Sequence, residues 1–455
     1  MNLKLFLKSQ LITAFICLNV LFSYSQTVII EYSPKNKDSL INYISTISDK
    51  KIQKFGNQYA KKIKELILER KKNFISKIED STYIFNDRIN KYLNSILKEI
   101  YLPNQNISKS DFYFFINRSP IPNAACYGNG IFTINLGLFN FVNSDDELAF
   151  IVCHEIAHYL LEHNDQSLLS FIQATNSKEI KKKINQVKKL DYGKRKAYND
   201  VIEELTYNFL RRSRKVEIEA DSVGLQIFSK TKFNVRSSLA SLENLKLSDS
   251  IIFNENSKLK EHFNFENYPF KENWLNKEQT PFDLTDVSND YSFDKDSLKT
   301  HPDIPFRVGL LNKMINDKNI LITPVNKKLK EIKQIIGLIS IYNFINQHKV
   351  DLALYETLVL FNKNELDEQT YSLLVSQIIK KIYELKVNHD FGKYVSQVSP
   401  FSDEKYLNEV RQFLHNIELK NIKKIGLNFC LKYQNKMIND NDFKKTTEYF
   451  NKLNL

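Results

Sequence analysis

Val152-Cys153-His154-Glu155-Ile156-Ala157-His158-Tyr159-Leu160-Leu161 holds two histidines four residues apart, with a glutamate directly after the first. Four residues is a little over one helical turn, so on a helix both imidazoles leave the same face. That geometry suits two nitrogen ligands on one tetrahedral zinc, with Glu155 beside the metal to take a proton from water. The surroundings support a helix. Ser144 and Glu147 form a capping-box pair, and Asp145 and Asp146 fall in the first turn, where the helix dipole favours negative charge. Between Leu148 and Leu161 the only strongly polar side chains are His154, Glu155 and His158. A helix apolar nearly all round is buried, and a buried glutamate between two histidines is costly unless a metal compensates.

Three protein ligands are needed to leave a fourth position for water. The best source is Glu217-Ile218-Glu219-Ala220-Asp221-Ser222-Val223-Gly224, where Glu217 and Asp221 share a helix face. Ala220 and Gly224 are also four apart, and their small side chains would let this helix approach the metal helix closely. Glu217 could complete the site while Asp221 bonds the outer nitrogen of a ligating histidine. An acidic helix balanced by Arg211, Arg212, Arg214 and Lys215 is the competing reading, and His262 and His301 are the next candidate ligands.

Upstream, residues 38–100 read as helical, with Ile63, Leu66 and Ile67, then Ile89, Leu93, Ile96 and Leu97, at three- and four-residue steps. Residues 111–116 and 131–136 read as strands, and residues 122–130 between them as a turn, so a hairpin-like pair delivers the chain to the metal helix. Downstream, a lysine-rich helical insertion covers about residues 164–212. A helix follows over about 214–228, and the stretch 229–299 lacks clear periodicity. Beyond Pro305 successive amphipathic helices run to the end, around residues 335–346, 352–361, 371–385, 406–414 and 422–433. The fold is therefore expected to be mainly α (α+β), with a small sheet, a zinc-binding helix pair and a C-terminal helical domain, either a TPR-like hairpin array or an ordinary bundle.

Several motifs together resemble the HtpX, CAAX-prenyl-protease and OMA-type zinc metalloendopeptidases, which are gluzincins. Asn123-Ala124 with the Gly128–Gly130 turn resembles the segment before that family's zinc helix. His154-Glu155-Ile156-Ala157-His158, with His163 following, resembles the zinc helix itself. Ser213-Arg214 and Glu217-Ile218-Glu219-Ala220-Asp221 resemble the third-ligand helix, and Thr300-His301-Pro302 with Arg307 the motif closing the domain. The resemblance implies one zinc per chain on His154, His158 and Glu217, Glu155 as general base, and His301 and Arg307 near the cleft as oxyanion or regulatory contacts. It departs from the membrane-embedded members by lacking internal transmembrane segments, and looks more like the exported, BepA-like branch with a helical-repeat partner.

The N-terminus matches that branch. Lys4 and Lys8 precede an apolar run from Leu11 to Phe22, and Ser23-Tyr24-Ser25 offers small residues where a signal peptidase reads them. This predicts a signal over residues 1–25, a metallopeptidase domain over 26–316 and a helical domain over 317–455, in a periplasmic or secreted protein. An uncleaved anchor is the competing reading of the first segment, although the run is short for a span. Of the four cysteines, Cys17 falls in the signal. Cys126, Cys153 and Cys430 make neither a disulfide framework nor a cysteine zinc site, though an oxidising compartment would permit a Cys126–Cys153 bridge.

The net charge is +12, but the lysines are spread through amphipathic stretches rather than gathered with aromatics, which argues against nucleic acid. A basic surface facing anionic lipid headgroups is the better reading of the charge. The expected activity is zinc-dependent endoproteolysis of unfolded or misassembled protein, with substrate paired along residues 131–136. The competing class is a chaperone-like assembly protein with structural zinc, acting on a protein partner through its C-terminal helices.

Overall fold

The structure is a computed structural model that describes residues 32–55, 60–107, 112–190, 192–194, 214–248, 253, 255–276, 304–315, 326–398 and 404–454. The expected signal, His301, and residues 191 and 195–212 of the lysine-rich insertion lie outside the described residues.

Two helices open the fold, α1 (Lys37–Lys54) and α2 (Ala60–Glu79), followed by a short strand β1 (Tyr83–Ile84) and helix α3 (Asp87–Tyr101). Strands β2 (Tyr113–Asn117), β3 (Ala124–Gly128) and β4 (Ile131–Asn135) complete a four-stranded sheet of order β1-β2-β4-β3. The two strands expected to form a hairpin-like pair lie parallel, with Phe114 opposite Phe132 and Ile116 opposite Ile134. The hairpin is instead β3–β4, because most of the expected turn is itself a strand. Positive φ is confined there to Gly128, Asn129 and Gly130, so Asn129-Gly130 alone makes the reversal.

The sheet is covered on both faces. Phe132, Ile134 and Ile116 face α3 and the metal helix, while Phe115 and Ile131 meet Leu40 and Ile44 of α1 and Phe74 and Ile78 of α2. Phe115 and Ile116, on opposite faces of β2, are both buried, which explains why that strand does not alternate apolar with polar residues.

After a short helix α4 (Leu136–Phe141) comes α5 (Asp145–Leu160), the metal helix, buried continuously from Asp146 to Ala157. Ser144 caps it by accepting the Glu147 N–H at 3.2 Å, and the Glu147 carboxylate reaches back to the Asn143 N–H at 2.9 Å. The insertion supplies α6 (His163–Asn176) and α7 (Lys178–Lys189). Leu168 and Ile172 of α6 pack on Ile63 and Ile67 of α2. Residues 214–228 form α8, as expected.

The stretch expected to be irregular contains α9 (Ser237–Ser248), which packs on α5, and the short helix α10 (Leu259–Phe263). The inner face of α9 includes Ser238 and Ser241, both buried, with hydroxyls donating to the backbone carbonyls of Val235 and Ser238 respectively. A stripe built partly of serine carries little hydrophobic periodicity. Helix α11 (Ile304–Met314) brings Arg307 inward.

The remaining helices are α12 (Lys327–Asn346), α13 (Val350–Asn362), α14 (Glu368–Val387), the single turn α15 (Phe391–Tyr394), α16 (Lys405–Asn416), α17 (Leu419–Tyr433) and α18 (Asn441–Asn454). The two largest apolar cores among the described residues do not divide at residue 316. Leu329, Ile332, Ile335, Ile336 and Ile339 of α12 belong to the core of the sheet and metal helix, whereas its Leu338, Ile341 and Phe344 join the C-terminal helices. Leu259, Phe263 and Trp274, expected in the first domain, also pack into the C-terminal core. An amphipathic stripe on α12 would have served one layer; this helix is apolar on two faces and serves both.

Candidate metal centre

The centre forms where α5, α8, the start of α6, strand β3 and α11 meet. His154 Nε2 and His158 Nε2 are 3.0 Å apart, and the Glu217 carboxylate lies 3.4 Å from the first and 3.5 Å from the second. Tetrahedral ligands with bonds of about 2.0–2.2 Å sit about 3.3–3.6 Å from one another, so the two imidazole nitrogens and the Glu217 carboxylate, which meets His154 through Oε2 and His158 through Oε1, are close enough to share one ion. They form the one group of three or more such donors among the described residues. His154 and Glu217 are buried and His158 half-buried.

Close helix packing makes this possible. A Cβ on Gly224 would stand 3.0 Å from His154 Cα and 3.1 Å from its backbone nitrogen, so α8 crosses α5 where only glycine fits. Ala220, one turn earlier, is fully buried at the same crossing.

Behind the ligands lies a charged layer. His154 Nδ1 meets Asp221 Oδ1 at 3.0 Å, the arrangement expected from spacing. Arg307 donates from Nε and from its second terminal nitrogen to the two Asp221 oxygens, both at 2.7 Å, and lies 3.2 Å from Glu217 Oε2. The resemblance implies that Arg307 lies near the cleft as an oxyanion or regulatory contact; its side chain here is buried and paired with the two carboxylates. Only 2% of that side chain is exposed, and it meets the same Glu217 oxygen, Oε2, that faces His154 Nε2. His301 falls outside the described residues. His262 bonds Tyr371 and Asn362 in the C-terminal core and takes no part in the centre.

The electrostatics follow from this layering. Burial works against a charge on His154, yet Asp221 and Glu217 outweigh it and push the metal-free imidazole up to about 10. Burial alone would raise the Asp221 carboxyl, but Arg307 and His154 hold it below its ordinary value. Burial lowers His163 despite Glu219 beside it.

Glu155 is also buried, and its Oε2 accepts the Cys126 N–H of β3 at 2.6 Å, which holds the carboxylate between the metal helix and the strand. Asn164 Nδ2 donates to the Cys126 carbonyl at 2.9 Å. Cys126 and Cys153 are both free, so the bridge an oxidising compartment would permit is not formed. The sequence reading gave no role to Asn164, Glu219 or His163. Their only signal was a third histidine after the metal helix and a second acid between Glu217 and Asp221.

Comparison with known proteins points the same way. Over 119 residues the chain is 29% identical to the mitochondrial metalloendopeptidase OMA1 of Arabidopsis thaliana, an alignment covering 26% of this chain and 22% of that protein. The chain thus matches about a fifth of that relative's length. The family model for peptidase family M48 matches residues 87–315. That span is half of the chain; it begins at α3, ends just after α11 and encloses strands β2 to β4, the three donor residues and the layer behind them. A metallopeptidase scaffold and a donor set spaced for one ion coincide in the same residues, and the chain belongs to peptidase family M48.

Proposed function

We propose that this metallopeptidase is a zinc-dependent endopeptidase acting on extended segments of unfolded or misassembled protein, with one zinc on His154, His158 and Glu217. The observation that carries the reading is the convergence of His154, His158 and the Glu217 carboxylate, with contacts of 3.0–3.5 Å among them, beside a second buried glutamate, Glu155. Zinc, when bound, makes water nucleophilic near neutral pH and polarises the scissile carbonyl. Glu155 takes the proton from the attacking water and passes it to the leaving amine. The Cys126 N–H restrains that carboxylate beside the cleft, and Arg307 and Asp221 keep Glu217 and His154 oriented.

An extended substrate would align along β3 rather than β4. Strand β4 lies between β2 and β3, so the pairing expected for residues 131–136 has no free edge, whereas β3 is an edge strand among the described residues, with Cys126 on it bonded to Glu155 and Asn164. A purely structural zinc would have no use for Glu155.

We also assign the chain to the exported branch, on its N-terminal sequence, and give the C-terminal helices the task of holding a protein partner. Among the described residues no helix is long and apolar enough to cross a membrane. Metal analysis of the purified mature protein tests the centre. Wild type should hold about one zinc per chain. His158→Ala and Glu217→Ala should lose it, and Glu155→Gln should keep it. Full retention in Glu217→Ala would remove Glu217 as the third ligand.

A further inference from the structure

The two ligand histidines are supported differently. His154 rests its outer nitrogen directly on Asp221. His158 rests its own on another histidine: His158 Nδ1 and His163 Nδ1 are 3.0 Å apart, and His163 Nε2 points to Glu219 Oε2 at 3.4 Å. His163 meets the nitrogen of His158 that faces away from Glu217, so it is no fourth ligand.

For His158 Nε2 to offer a lone pair, its proton must sit on Nδ1. His163 Nδ1 must then accept it, which places the His163 proton on Nε2, facing the Glu219 carboxylate. One tautomer satisfies every link. The three acids of Glu217-Ile218-Glu219-Ala220-Asp221 thereby each reach the centre: one as ligand, one directly behind His154, one behind His158 through His163.

The local fold is built to hold His163 there. Glu162 takes a left-handed backbone, φ 54°, a conformation strained for a residue other than glycine, which turns the chain back on the end of α5. Lys54 of α1 pairs with Glu162 at 2.6 Å, Lys51 of α1 pairs with Asp165, and Asn164 is tied to β3. The start of α6 is thus tied to both α1 and β3, and His163 is 3% exposed.

We propose that His163 is a positioning residue that fixes the tautomer and orientation of His158, with Glu219 orienting His163 in turn. The proposal rests on the metal-centre reading above. The test is zinc affinity by chelator competition, together with the visible spectrum of the cobalt-substituted protein, in wild type, His163→Ala, His163→Asn and Glu219→Gln. Removing such an outer partner costs about 10–100-fold in metal affinity. His163→Ala should show that loss and an altered cobalt spectrum. His163→Asn places an amide oxygen where Nδ1 stood and should recover most of the affinity. Glu219→Gln, on a half-exposed side chain, should fold normally and show a smaller loss in the same direction. Equal affinity of wild type and His163→Ala would overturn the proposal, as would an Asn variant no better than Ala at equal thermal stability. Wild type that takes up no zinc would overturn the metal-centre reading itself.

Discussion

Gly224→Ala probes how the centre is assembled without touching a ligand. The added methyl would lie 3.0 Å from His154 Cα, 3.1 Å from its nitrogen and 3.4 Å from the Cys153 carbonyl carbon. All three are backbone atoms of α5, so no side chain can swing aside and the helices must part by a few tenths of an ångström. Overpacking of this kind costs about 1–3 kcal/mol, set against about 1 kcal/mol gained from alanine's better helix propensity. The metal site magnifies the shift. Glu217 and Asp221 ride on α8, and His154 and His158 on α5, so the 3.4 and 3.5 Å spacings lengthen directly. Zinc affinity should fall by at least about tenfold, as for lost outer support. Gly309→Ala is the control: it lies in α11 with nothing within 4 Å of a Cβ, and should raise stability by up to about 1 kcal/mol with zinc affinity unchanged. Urea unfolding of the metal-free proteins and chelator competition measure both quantities. A Gly224→Ala protein as stable and as tight for zinc as Gly309→Ala would refute the close-crossing account.

Arg307→Met leaves Asp221 and Glu217 buried without their cation, and urea melts should show a loss of about 3–5 kcal/mol. Because Arg307 and His154 hold the Asp221 carboxyl low against burial, its stabilisation is complete above the unfolded value of about 3.9 and is lost as pH falls through the folded one. Asp221→Asn should therefore flatten the acid limb of the metal-free protein's stability curve while lowering its plateau. Burial, reinforced by Glu155, pushes the Cys126 thiol up to about 12, and burial pushes Cys430 up to about 11, so neither should react with a thiol reagent at pH 8 until the chain unfolds. Deleting residues 317–455 removes Leu329, Ile332, Ile335, Ile336 and Ile339 from the metal-helix core, on the order of 10 kcal/mol of burial. Circular dichroism should find that fragment unfolded. N-terminal sequencing of exported protein should begin near Gln26 or Thr27, and an intact Met1 in a membrane fraction would support an anchor.

The metal helix and its partner were legible because their chemistry is local. Two histidines and a cap specify α5, and the four-residue steps Glu217–Asp221 and Ala220–Gly224 specify both the third donor and the close crossing. What escaped notice depends on non-local contacts. Whether residues 124–128 turn or extend is decided by pairing with β4, and α9 hides an inner face partly in serine. The His163–Glu219 link joins residues 56 apart, and the buried place of Arg307 appears only once α11 is packed. The division of α12 between two cores likewise needs both layers present.

The most direct test compares cleavage of an unstructured, internally quenched peptide by wild type and Glu155→Gln at matched zinc content. The substitution keeps size and removes the base. Zinc should stay at about one per chain in both proteins, while cleavage falls by at least about 10²-fold in Glu155→Gln, the lower end for general-base catalysis. Equal cleavage by the two proteins, or zinc-loaded wild type that cuts no unfolded substrate near neutral pH, would contradict the assignment of Glu155 and of the activity.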